Sequence, residues 1–329
     1  MAEQTQKTVL YNEDINSNYA QTALHLDMIQ DKFRTLTYCQ AIEMNKEQFE
    51  GKVVLDVGSG SGILSLFAAR SGAKKVYSVE CTPIGYISET IIKNNHYENI
   101  ITVLHGRLEE IEVPEKVDII ISEWMGYSLY FEVMLPSVLL ARDKYLKPGG
   151  ALLPSAAQLF ITGVQAYEYY ATQIEYWDNV YGFDFSAMKG QAFTEPVVDQ
   201  CEKWQLITNF STISEINLHD CKTDASFFVS PFTLNVKQNE TLHAFVTYFD
   251  VFFNDLPVKK TLSTSPMKKQ THWKQTFFYL KKPLECHKGD VVHGTIEFKP
   301  NEKDDSGLYI TIKYKLNDGE EFSQDYDFF

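Results

Sequence analysis

Between residues 53 and 145 the chain alternates short β-branched runs with one-sided helical stretches, and that alternation leaves few folds open. Val53–Val57 reads as a strand, followed by the glycine loop Gly58-Ser59-Gly60-Ser61-Gly62 and a helical stretch from Ile63 to Arg70 that stops near Gly72. Lys75–Glu80 reads as the next strand, about 84–95 as a helix, 100–104 as a strand and 105–116 as a loop. Residues 117–121 (Val-Asp-Ile-Ile-Ile) read as a fourth strand, of the buried parallel kind, and about 133–145 reads as a helix. Such an order implies a doubly wound parallel sheet with right-handed crossovers. Lys147-Pro148-Gly149-Gly150 reads as a turn that closes this layer. Ahead of it, residues 19–49 read as helical, with Leu24, Met28, Ile29, Phe33 and Leu36 at three- and four-residue spacing.

The texture changes after Pro154. Short alternating runs appear at 158–164, 241–249, 276–280, 291–298 and 308–315, separated by polar turns such as Asn317-Asp318-Gly319. These point to an antiparallel barrel or sandwich. An aromatic stretch at 167–196, with Tyr169, Tyr170, Tyr176, Trp177, Tyr181, Phe183 and Phe185, interrupts them. It reads as a helical insertion with an exposed apolar face, the kind of surface that marks an oligomer interface. The expected organisation is a helical N-terminal lid over 1–40, a nucleotide-type α/β domain over 41–153, and a β-barrel domain over 154–329 that carries the insertion.

The formal net charge of −14 disfavours direct binding to nucleic acid and favours attraction to basic partners. No apolar run is long enough for a membrane span, and the first residues lack the pattern of a secretory signal. Cys39, Cys81, Cys201, Cys221 and Cys286 are scattered and odd in number, which suits free thiols in a reducing compartment. The expected address is therefore the cytoplasm and nucleus. Neither these cysteines nor the histidines show metal spacing, and no metal is expected.

Two segments carry chemistry. The glycine loop lacks the spacing of the dinucleotide fingerprint, and no Gly-Lys-Ser/Thr follows it as in a phosphate-cradling loop. Asp56 before the loop and Glu80 at the end of the following strand make the pocket anionic, and a carboxylate in Glu80's place suits two ribose hydroxyls. A ligand bearing an ammonium and a sulfonium, S-adenosylmethionine, meets those demands. The second segment is Ser122-Glu123-Trp124-Met125-Gly126-Tyr127-Ser128-Leu129-Tyr130-Phe131-Glu132, directly after the 117–121 run. Two carboxylates in an aromatic stretch are costly to desolvate unless a cation meets them. A guanidinium does so through parallel charge-assisted hydrogen bonds, so the pair reads as a grip for an arginine side chain.

With these segments in view the chain resembles the protein arginine N-methyltransferases, and within them the type I enzymes. The Glu123–Glu132 segment matches that family's double-glutamate loop, Thr271-His272-Trp273 its Thr-His-Trp loop, and VLDVGSGSGILSLFAARSGA its glycine loop. The likeness runs from about Asn18 to about Phe298. It implies a class I methyltransferase domain followed by a β-barrel with a helical dimerisation arm, and AdoMet-dependent monomethylation and asymmetric dimethylation of arginine in proteins. Residue by residue, it implies that Glu123 and Glu132 hold the substrate guanidinium, with Asp31 and His272 as a proton-carrying pair. His25, Arg34, Asp56, Gly58, Gly60, Gly62, Glu80 and Glu109 would surround the cofactor, with Arg34 reaching its carboxylate. Tyr19, Met28, Met134 and Trp273 would shape the acceptor pocket, the two methionines being those of asymmetric dimethylating members. The implied partners are arginine-rich proteins, such as Gly-Arg-rich RNA-binding proteins or histone tails, and a second copy of the chain. One departure stands out: Ile15 and Asn16 occupy the places of two aromatics in the family's leading helix. An AdoMet enzyme acting on a small molecule, and a weak or inactive regulatory subunit that binds basic tails, are the rival readings.

Overall fold

The computed structural model describes residues 22–132, 134–302 and 307–329; Tyr19, Ile15 and Asn16 lie outside them. The first layer is a five-stranded parallel sheet of β1 (Val53–Val57), β2 (Lys75–Glu80), β3 (Ile101–His105), β4 (Val117–Ser122) and β5 (Leu146–Leu153), in the order β3-β2-β1-β4-β5. The order reverses between β1 and β4, where open α/β sheets bind ligands outside the carboxyl ends of their strands. β1 is buried along its whole length, the pattern of a strand covered on both faces.

Two expectations for this half need correction. The 19–49 stretch is not one helix: Thr22–Gln30 ends before Asp31, and a second helix runs Lys32–Glu43. Asp31 is the break, because its Oδ1 accepts the backbone N–H of Arg34 at 2.9 Å and caps the second helix. The break resets the buried stripe to Arg34, Thr37, Tyr38, Ala41 and Ile42, leaving Ile29 and Leu36 exposed. Nor is Lys147–Gly150 a closing turn; it lies within β5 as a bulge, marked by a register shift against β4. β5 is an edge strand, where a proline N and three extra residues disturb the ladder on one side only.

The second half holds two antiparallel sheets. One is β7 (Val197–Asp199), β12 (Gln275–Cys286), β10 (Glu240–Phe253), β6 (Ala156–Val164) and β8 (Ser211–Asn217), with β11 (Lys260–Ser263) on β10. The other is β15 (Glu321–Phe328), β14 (Leu308–Leu316), β13 (Val291–Pro300) and β9 (Phe228–Asn235). Phe245 of β10 packs edge-on against Phe232 of β9 and Tyr314 of β14, filling the space between the sheets. Alternation along β10 divides its labour: Phe245, Phe249, Val251 and Phe253 join the main core, while Ala244 and Val246 face the arm.

The arm is less regular than a helical hairpin, being built of short α, π and 3-10 turns. Its base folds back on the barrel, with Tyr169 stacked on Tyr279 at 4.1 Å and Ile174 buried. Its tip projects: Tyr181 is 93% and Phe183 69% exposed. No helix among the described residues is long and apolar enough to cross a membrane.

Candidate active site

The carboxyl ends of β1, β2 and β4, the two leading helices and the 271–273 loop enclose one cleft. Twelve residues expected from the sequence line it: His25, Met28, Arg34, Gly58, Gly60, Glu80, Glu109, Glu123, Glu132, Met134, His272 and Trp273. Three described residues do not. Asp31 stands behind His272; Asp56 is wholly buried and bonded to Ser65; Gly62 packs against Ser88. Asp56 and Gly62, expected beside the cofactor, stand outside the lining, against Ser65 and Ser88 of the following helices.

The glycine floor is a cradle with no room for side chains. A Cβ on Gly58 would collide with the end of Met134, and one on Gly60 would come within 3.2 Å of the His25 ring. Glu80 organises the rim, its Oε2 accepting the Gly60 N–H and its Oε1 the Thr82 N–H, both at 2.8 Å. Ser59, Thr82 and Trp124 also line the cleft, and each carries a buried polar atom with no partner among the described residues. Unmet hydrogen-bonding groups in a cleft wall suit a polar ligand. Anionic rim, close backbone approach and apolar Met28 and Met134 together fit a ligand with a cationic head and a sulfonium.

The Glu123–Glu132 loop is a knot. Ser128, Leu129 and Glu132 all have left-handed backbones, with φ of 50°, 69° and 78°. The Gly126 N–H reaches the Leu129 carbonyl at 3.0 Å, and a Cβ on Gly126 would run into the Phe131 carbonyl, so only glycine fits. Strained backbone of this kind persists where surroundings over-determine it, and it gathers at functional sites.

Glu123 is engaged by an internal cation. Arg34 places Nε at 3.0 Å and Nη2 at 2.7 Å from Glu123 Oε2, with the two side chains only 7% and 9% exposed. Burial by itself lowers the Arg34 pKa, but the Glu123 carboxylate more than offsets this and raises it. Tyr38, one turn beyond Arg34, donates to the Ser122 carbonyl at 2.9 Å, and Trp273 Nε1 donates to the Met125 carbonyl at 2.8 Å. Trp273 therefore both lines the cleft and fastens the loop.

Asp31 Oδ2 meets His272 twice, at the backbone N–H and at ring Nδ1, each at 2.9 Å. Burial pushes the Asp31 carboxyl up, but hydrogen bonds from the His272 ring and from the Arg34 and His272 backbones outweigh it, and the net shift is down. Sequence reasoning missed Tyr38, Cys81, Arg107, Met125 and Tyr127. Cys81 and Arg107 stand beside Glu80 and Gly106 at strand ends, and position alone could have nominated them. Tyr38 acts across 84 residues of chain, and no local pattern marks that.

Comparison with known proteins gives concordant results. Residues 155–319 match the arginine methyltransferase oligomerization subdomain, and residues 33–150 match the ribosomal protein L11 methyltransferase family. Protein arginine N-methyltransferase 8-B of Danio rerio is 45% identical over 297 residues, covering 90% of this chain and 71% of its own. Protein arginine N-methyltransferase 1.1 of Arabidopsis thaliana is 43% identical over 301 residues, covering 91% and 77%. Among solved structures, a chain of the Trypanosoma brucei PRMT1 enzyme-prozyme heterotetrameric complex with AdoHcy superposes with a TM-score of 0.92 at 37% identity. That match covers 95% of this chain and 100% of the other.

Proposed function

The chain belongs to the protein arginine N-methyltransferase family, and from that premise we propose that it methylates arginine side chains of proteins to monomethyl and asymmetric dimethyl arginine. S-adenosylmethionine, which leaves as S-adenosylhomocysteine, supplies an electrophilic methyl carbon on its sulfonium. One observation carries the reading: two glutamates leave a single strained loop into a cleft, and one of them already binds a guanidinium, that of Arg34. Both contacts fall on Glu123 Oε2, so Oε1 is the oxygen for a substrate guanidinium, with Glu132 as the second carboxylate. Arginine stays cationic at ordinary pH and its nitrogen lone pairs are delocalised. Glu123 and Glu132 counter this by holding positive charge on the far nitrogens, which leaves the remaining one better able to attack. Asp31, held ionised, fixes the His272 proton on Nδ1, and Nε2 then accepts the proton that methyl transfer releases.

Met28 and Met134 line the same cleft and support the asymmetric product. The chain's net charge of −14 supports arginine-rich protein substrates, such as Gly-Arg-rich RNA-binding proteins or histone tails. Five cysteines without a disulfide support the cytoplasm and nucleus, which cell fractionation checks. The 155–319 match supports assembly into oligomers, and the exposed arm tip supports a homodimer. Sedimentation of a Tyr181→Ser/Phe183→Ser variant is expected to yield monomers; an unchanged dimer would remove the arm from the interface.

The function is tested with labelled AdoMet, a Gly-Arg-rich peptide and Glu132→Gln as control. Label should enter arginine and mass spectrometry should find the asymmetric product. Label no higher than in the control would leave the chain a regulatory subunit, and a purely symmetric product would refute the role of Met28.

A further inference from the structure

The two halves of the double-glutamate loop differ in most of what fastens them, although Trp273 also reaches Met125 in the first half. The Glu123 half is tied to the α/β layer and leading helix through Arg34, Tyr38 and the Ser122 hydroxyl, which donates to the Val57 carbonyl at 2.9 Å. The Glu132 half hangs from the barrel. Ser128 Oγ lies 2.7 Å from Thr247 Oγ1 of β10, and Tyr130 Oη lies 2.8 Å from Ser214 Oγ of β8. Phe131 stacks on Phe328 of β15 at 4.4 Å.

Thr247 is an anomaly where it stands. Strand alternation puts it on the face shared by Phe245, Phe249, Val251 and Phe253, all members of the main core. It is 1% exposed, and its hydroxyl meets Ser128, the first of the loop's three left-handed residues, of which Glu132 is the last. A buried hydroxyl in an apolar stripe is unfavourable unless it is paired. A valine would fill the same space, so the oxygen is there for what it holds.

We infer that Thr247 is a positioning residue: through Ser128 it pins the left-handed turn that aims Glu132, and Ser214 does the same less tightly through Tyr130. This rests on the reading of Glu123 and Glu132 as the guanidinium clamp. The barrel thereby sets the spacing of the clamp, while the cofactor floor is built from the other layer. Misplacement of a catalytic group by about 1 Å costs up to about 100-fold in rate.

The test is steady-state kinetics on a Gly-Arg-rich peptide, with binding of S-adenosylhomocysteine measured alongside. Thr247→Val should lower kcat/KM for peptide about tenfold or more, while the Kd for S-adenosylhomocysteine stays within about twofold. Thr247→Ser, which keeps the hydroxyl, should restore most of the loss. A general weakening of the fold would instead move both readouts together and would not be rescued by serine. Tyr130→Phe leaves the half-buried Ser214 able to bond water; it should show a smaller loss of the same kind, and serves if Thr247→Val does not fold. Wild-type kcat/KM in both Thr247→Val and Tyr130→Phe, or a matching loss of S-adenosylhomocysteine binding, would overturn the inference. Glu132→Gln in the same series separates the premises. If it retains full activity the clamp reading fails; if it is inactive while Thr247→Val is unaffected, only the positioning role fails.

Discussion

Glu123 and Glu132 share one loop but not one environment. Glu123 leaves the end of a regular buried strand and is locked by an ion pair to a helix. Glu132 leaves a left-handed turn, half-buried, in a loop held by hydroxyls and a stacked ring from the barrel. The contrast separates binding charge from binding geometry. Removing the first glutamate strands a buried cation, whereas the second is half-buried and its charge bears on Tyr127.

The largest expected effect is on rate, and it is shared. Glu123→Gln and Glu132→Gln should each lower kcat by about 100- to 1000-fold, the usual loss when one preorganised charge is removed. Stability should divide them. Glu123→Gln leaves Arg34 without its carboxylate and should cost about 3 kcal/mol in urea unfolding, more than Glu132→Gln at its half-buried position. Equal destabilisation by the two would erase the contrast.

Trp273→Phe probes the seam between the two environments, because Nε1 is the donor to the Met125 carbonyl, two residues after Glu123. Loss of that bond should cost about 1–3 kcal/mol, since the buried carbonyl is left unsatisfied. Peptide KM should rise more than S-adenosylhomocysteine Kd; a change confined to cofactor binding would place the tryptophan's influence on the α/β side.

Asp56 gives an effect that is spread over pH and signed. Burial drives its pKa from 3.8 to about 7, partly opposed by hydrogen bonds from Ser65, with Glu80 adding to the rise and Arg34 opposing it. A carboxyl whose folded pKa is raised favours the folded state below its unfolded pKa, and that advantage is lost as pH climbs through the folded value. Wild-type stability should therefore fall by about a kcal/mol per pH unit across this window, measured against Asp56→Asn. Parallel curves for the two proteins would show that Asp56 stays ionised throughout. The Thr247–Ser128 contact joins two hydroxyls and holds no carboxyl, so the slope should be unchanged in Thr247→Val.

Much of the cleft was legible in the chain because its parts are local. The glycine loop and Glu80 sit at strand ends, and a strand-to-helix turn fixes where they point. The double-glutamate run was legible from charge in an aromatic context. Helix phase was not: the stripe from Leu24 to Leu36 looked continuous, and only the cap at Asp31 moved burial onto Arg34, Thr37 and Tyr38. Arg34 lines the cleft as expected, but its grip on Glu123, a contact across 89 residues, had no local signal.

By itself the sequence determined the layer order, the glycine floor, the two acidic side chains and the aromatic arm, because each is set by patterns within a few residues of one another. Only the tertiary structure decided that Arg34 neutralises Glu123, that Asp31 both caps a helix and orients His272, and that a threonine in the barrel reaches the Glu132 half of the loop. The physical reason is range. Secondary structure and anionic character follow from neighbouring groups, whereas the pairing of buried polar groups depends on which surfaces packing brings within about 3 Å.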